Sequence, residues 1–124
     1  MVTKCKDYGK WIGSANWTYN ATIRRHYKLT EFNTKKMMDN LIKQKGMNKL
    51  FFSIEDDKND NMTHVHLLID SDSNYSRERL ARELGVNMKA VSFLEEVKSI
   101  RDIAYYITKG FWKRTSFYDI RFKK

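Results

Sequence analysis

His64 and His66 lie two residues apart in Thr63–Asp70 (THVHLLID), a segment whose composition and alternation predict a β-strand. Side chains two apart on a strand share a face, so both imidazoles project one way and Val65, Leu67 and Ile69 the other. Two imidazoles side by side can ligate one divalent cation. The preceding segment Leu50–Asp56 (LFFSIED) predicts another strand, and the polar stretch Asp57–Met62 (DKNDNM) turns the chain back. Setting Asp56 opposite Thr63 places Glu55 opposite His64 on the same face, with Cβ atoms about 5 Å apart. A two-residue slip would set Glu55 opposite His66 and keep the face. Asp57 shares that parity and is a weaker third-ligand candidate. Two imidazoles and a carboxylate suit Mn²⁺ or Mg²⁺ with positions left for phosphate oxygens, and Zn²⁺ is also compatible. The alternative is a pair of surface histidines beside a solvated strand-end carboxylate.

A second group lies further along the chain. Ser99 with Asp102 resembles a capping box and opens a predicted helix through Ile100, Ile103, Ala104 and Ile107 to Gly110. At about 100° per residue its apolar stripe leaves Lys109 nearly opposite, with Tyr105 and Tyr106 on either side. A tyrosine hydroxyl can attack a phosphodiester when a cation polarises the phosphate. The angles do not separate the two hydroxyls. Two rings at the helix rim with wet phenols would look the same.

The elements that must position these groups follow from periodicity and punctuation. Lys10–Tyr19 predicts a first strand, and Asn33 or Thr34 can cap a helix with Met37, Met38, Leu41 and Ile42 inward, ending at Gly46. Ser76 can cap a short helix with Leu80 and Leu84, closed by Gly85. Ala90–Glu95 predicts a strand, and Ser116–Phe122 alternates as an edge strand. The order points to an α+β fold, a ferredoxin-like antiparallel sheet with helices on one face and the active site on the other.

Composition narrows the partner. The 124 residues carry 24 Lys plus Arg against 15 Asp plus Glu, a formal charge of +9, which suits a polyanion such as nucleic acid. Residues 1–50 hold a net +8, residues 51–100 a net −4 and residues 101–124 a net +5. The acidic middle contains Glu55 and both histidines. Aromatics at 14% argue against a disordered basic tail. The single Cys5 excludes an intramolecular disulfide and favours an intracellular location. No apolar run approaches a membrane span and no signal peptide opens the chain.

The strand His64-Val65-His66-Leu67-Leu68-Ile69, followed by Tyr106-Ile107-Thr108-Lys109, resembles the HUH endonucleases, most of all the replication initiator (Rep) nucleases of small viruses and plasmids. Their second motif is His-hydrophobic-His on a central strand and their third Tyr-x-x-Lys on a helix. Their metal-binding carboxylate usually lies on the strand before the histidines, where Glu55 stands. The resemblance implies a single nuclease domain over residues 1–124 that nicks and joins single-stranded DNA at a replication origin or hairpin. It implies His64, His66 and Glu55 around Mn²⁺ or Mg²⁺, Tyr106 as nucleophile with Tyr105 the alternative, a 5′-phosphotyrosine intermediate, and Lys109 neutralising phosphate. The first motif has no clear copy; Ile12–Trp17 occupies its place. No P-loop is present, so no helicase domain is expected, and a helicase or polymerase partner is implied. A homodimer acting at paired sites is compatible. Lys10, Arg24, Arg25, Lys113 and Arg114 are expected to line the DNA groove, with Trp17, Tyr19 and Tyr27 among the rings available for stacking. A non-catalytic ferredoxin-like nucleic-acid-binding module and a phosphoesterase without a covalent intermediate are the rival readings.

Overall fold

The computed structural model describes residues 17–57, 61–97 and 115–123. Among these, five strands and two helices follow one another as β1 (Tyr19–Ile23), α1 (Glu31–Ile42), β2 (Met47–Asp56), β3 (Thr63–Ser71), α2 (Arg77–Leu84), β4 (Val91–Glu96) and β5 (Thr115–Phe122). The strands form one sheet in the order β4-β1-β3-β2-β5, and every neighbouring pair is antiparallel. The first four strands follow the ferredoxin-like order, and β5 extends the sheet beside β2. The α+β expectation holds.

Alternation along the strands separates the two faces. Tyr19, Ala21 and Ile23 of β1, Leu50, Phe52 and Ile54 of β2, and Val65, Leu67 and Ile69 of β3 join one buried cluster. Met37, Met38 and Leu41 of α1 and Leu80 and Leu84 of α2 belong to it, so both helices cover that face. His64 and His66 therefore point to the opposite face, as period-two geometry requires. That face is not wholly wet, because Phe51 and Leu68 have the same parity and are buried.

Several expected boundaries move, the end of the first helix from Gly46 to Ile42 among them. The first described strand is Tyr19–Ile23, not Lys10–Tyr19: Trp17 and Thr18 precede it, and residues 10–16 lie outside the described ones. Its alternation is real but carried by Tyr19, Ala21 and Ile23, while Asn20 and Thr22 dilute the strand signal. The first helix is capped by Thr30, not by Asn33 or Thr34. The Thr30 hydroxyl accepts from the Asn33 amide and the Asn33 side chain accepts from the Thr30 amide, a reciprocal box that satisfies two helix-start donors. Thr34 is buried instead. The second helix begins and ends as expected: Ser76 accepts from the Arg79 amide, and Gly85 at φ 79° closes it. The edge strand is present one residue longer, and a short 3₁₀ turn at Met88–Ala90 leads into β4. The expected helix carrying Tyr105, Tyr106 and Lys109 lies outside the described residues.

Candidate metal centre

The register of β2 on β3 decides which side chains can meet. Glu55 pairs with His64, Asp56 with Thr63 and Ser53 with His66, the register that the polar turn implied. Glu55, His64 and His66 thus occupy neighbouring positions on the face away from the helices. The pairing of β2 with β5 shifts between Ile54 and Glu55, a local irregularity beside the site. Such irregularities re-aim the side chains next to them.

The three groups converge. Glu55 Oε2 lies 2.7 Å from His66 Nε2 and 3.9 Å from His64 Nε2, and the two Nε2 atoms are 3.2 Å apart. Ligands held about 2.1 Å from one ion stand about 3.0 Å apart at octahedral angles and about 3.4 Å at tetrahedral ones. The observed separations bracket both values. Glu55, His64 and His66 are close enough to hold a metal ion. The donor set also fits a cation chemically, since it brings one part-buried carboxylate against two imidazole Nε2 atoms.

Asp57 does not join that group. Its Oδ1 lies 2.6 Å from His64 Nδ1, on the far side of the ring from the converging Nε2 atoms. Arg24, just beyond β1, donates from Nη1 to both Asp57 oxygens at 3.1 Å. Burial alone would raise the Asp57 carboxyl, but the hydrogen bonds from His64 and Arg24, with the Arg24 charge, hold it below its ordinary value. Burial pushes the His64 imidazole below its ordinary value; the bond to Asp57 opposes this without overcoming it. Burial thus favours the neutral imidazole of His64, the form that can ligate a metal.

A row of side chains crosses the same face through His66. Phe93 of β4 pairs with Thr22 of β1, Thr22 with His66, His66 with Ser53, and Ser53 with Tyr118 of β5. Phe93 is 41% exposed, an open ring two strands from a candidate ligand. The Ser53 hydroxyl is fully buried and has no hydrogen-bond partner among the described residues. Neither the exposure of Phe93 nor the Arg24–Asp57–His64 contact is legible in the sequence. Strand parity names a face but not which ring nitrogen a carboxylate meets.

The expected DNA-contacting residues divide. Arg24 is exposed but committed by one nitrogen to Asp57, and the Arg25 guanidinium lies 4.8 Å over the exposed Tyr27 ring. Trp17 is 7% exposed, with the Lys49 ammonium 5.0 Å from its ring, so it does not offer an open stacking surface. Tyr19 is buried in the core and its hydroxyl accepts from the Tyr75 amide. Both rings are packed because Tyr19 faces the helices and the chain at Trp17 runs onto the sheet, where Thr18 donates to Ile69. Lys10, Tyr105, Tyr106, Lys109, Lys113 and Arg114 lie outside the described residues. Among the described residues no helix is long and apolar enough to cross a membrane.

Comparison with protein-family models, with curated proteins and with solved structures returns no match.

Proposed function

We propose that this chain is a metal-dependent endonuclease that nicks and rejoins single-stranded DNA, as the HUH replication initiators do. The observation that carries the reading is the convergence of Glu55 Oε2, His64 Nε2 and His66 Nε2 on one point, on the sheet face away from both helices. A non-catalytic binding module has no need of that arrangement. A divalent ion held there, Mn²⁺ or Mg²⁺, would draw charge from a scissile phosphate and fix its orientation.

The remaining roles fall to the chain's own residues. The Tyr106 hydroxyl loses its proton and attacks phosphorus; the new phosphotyrosine bond forms as the bond to the 3′ oxygen breaks, and that oxygen takes up a proton. The freed 3′-hydroxyl is a primer end for a polymerase, and attack by a 3′-hydroxyl on the phosphotyrosine rejoins the strand. Lys109 offsets charge on the phosphate. Phe93, open on the same face as His66, and Tyr27 with Arg25 provide rings and charge for an unpaired strand.

The test is incubation with labelled single-stranded oligonucleotides and Mn²⁺, followed by a denaturing gel. A shifted protein–DNA band that disappears in Tyr106→Phe and persists in Tyr105→Phe is expected. Cleavage without a covalent band would move the assignment to a hydrolase using activated water. Binding without cleavage would leave only the module.

A further inference from the structure

The Arg24–Asp57 pair joins three central strands at one end of the site. Arg24 directly follows β1 and its amide donates to Ala90; Asp57 directly follows β2 and its amide donates to Met62, just before β3. Between them the two residues present one carboxylate oxygen to His64 Nδ1 at 2.6 Å. An ionised carboxylate only accepts, so the proton in this bond belongs to Nδ1. A neutral imidazole carries one ring proton. With that proton on Nδ1, Nε2 keeps a bare lone pair, and Nε2 is the atom that faces Glu55 and His66.

We propose that Asp57, braced by Arg24, is a positioning residue that locks His64 in the Nδ1–H tautomer and aims bare Nε2 at the point shared with Glu55 and His66. This rests on the metal-site reading above but makes a claim that holds in the metal-free protein too. Free histidine side chains favour the other tautomer, which would place a hydrogen where a cation must sit. Carboxylate partners of ligating histidines set the tautomer and raise ligand basicity, and their loss costs about 10–100-fold in metal affinity. Arg24 makes Asp57 rigid by engaging both its oxygens from one nitrogen, so its removal costs less than removal of Asp57 itself.

Two measurements on the full chain test this, each on the wild type, Asp57→Ala, Asp57→Asn and Arg24→Met. Long-range ¹H–¹⁵N correlation spectra of the metal-free protein report the His64 tautomer and, in the same spectra, whether each variant is folded. Titration with MnCl₂ followed by electron paramagnetic resonance reports affinity. The wild type is expected to show Nδ1–H, and Asp57→Ala to move to Nε2–H with Mn²⁺ bound about 10–100-fold more weakly. Asp57→Asn keeps an acceptor oxygen and should recover part of that loss. The proposal is overturned if wild-type His64 carries its proton on Nε2, if Asp57→Ala leaves the tautomer unchanged, or if Asp57→Ala binds Mn²⁺ as tightly as the wild type. Failure of the wild type to bind Mn²⁺ while the tautomer still follows Asp57 would remove the metal reading and leave the lock in place.

Discussion

Glu55 is paired with His64 across the β2–β3 ladder, yet its Oε2 lies nearer the diagonal neighbour His66, at 2.7 Å against 3.9 Å. The carboxylate leans along the strand, so one side chain serves both imidazoles. That reach depends on charge as well as position. Glu55→Gln keeps the shape and removes the negative charge that a cation needs. Mn²⁺ affinity should fall by more than the roughly 100-fold upper cost of losing an outer-shell partner. Circular dichroism should be unchanged. Wild-type affinity in Glu55→Gln, read by electron paramagnetic resonance, would exclude Glu55 as a ligand.

Two glycines separate backbone strain from crowding. Gly46 and Gly85 both sit at positive φ, 87° and 79°, which costs an L-residue about 1–2 kcal/mol. A Cβ at Gly85 meets nothing within 4 Å, whereas at Gly46 it would collide with the Ser73 hydroxyl and crowd Ser73 Cβ at 3.2 Å. Gly85→Ala should therefore cost about 1 kcal/mol in urea unfolding, and Gly46→Ala more. Adding Ser73→Gly to Gly46→Ala should recover the excess. Equal costs for the two single variants would show that crowding at Gly46 is relieved without loss.

Much of the site was legible because a strand's period and a turn's length are arithmetic. Once Asp56 faces Thr63, Glu55 must share a face with His64 and His66. What escaped depends on contacts that residue type does not encode. Asn33 looks like a helix cap but serves as the third residue of a box begun by Thr30. Phe32, 70% exposed in the first turn, offered no apolar signal for the true start. Trp11 and Trp17 suggest a strand over Lys10–Tyr19 more strongly than Tyr19–Ile23 does; of that segment Trp17 and Thr18 precede β1, and residues 10–16 lie outside the described ones. Yet Ala21 and Thr22 are strand residues because β3 and β4 pair with them from both sides. Asp57 had the right parity for a ligand and the wrong side of the imidazole.

The edge strand should respond to acid through Asp119. Burial would raise this carboxyl, but hydrogen bonds from Arg121 and the Ile120 amide, with the Arg121 charge, hold it below the ordinary 3.8. A depressed folded value means its stabilisation is complete above about 3.8 and is lost as pH falls through the lower folded value. Arg121 also bonds Asp39 of α1 at 2.8 Å through Nε, so the Asp119–Arg121 pair sits where β5 meets the helix. Asp119→Asn, which cannot titrate, should show a shallower decline of the urea midpoint below pH 4 than the wild type. Parallel declines would mean that other carboxyls control acid unfolding.

Ser53 tests whether its buried hydroxyl is a liability of the fold. The group lies opposite His66 with no hydrogen-bond partner among the described residues. An unsatisfied buried hydroxyl costs about 1–3 kcal/mol, so Ser53→Ala should leave metal-free stability unchanged or raise it. A loss above about 1 kcal/mol in urea unfolding would reveal a partner for Ser53, such as bound water.

Trp17 and Tyr27 carry the final contrast, between an aromatic packed into the fold and one open to the proposed DNA strand. Trp17 is 7% exposed and Tyr27 is 39% exposed, under the Arg25 guanidinium. Truncating a buried tryptophan typically costs about 3–5 kcal/mol, whereas a surface change away from packing stays within about 0.5 kcal/mol. Trp17→Ala should therefore lower stability sharply. Trp17→Phe should keep single-strand affinity close to wild type. Tyr27→Ala should melt as the wild type does and bind single-stranded DNA more weakly by about 1–3 kcal/mol, the usual worth of one stacked base. Fluorescence anisotropy with a labelled oligonucleotide gives the affinities and urea unfolding the stabilities. Equal DNA affinity for wild type and Tyr27→Ala would remove Tyr27 from the binding surface and leave Phe93, an open ring on the face that bears His66, to be tested in its place.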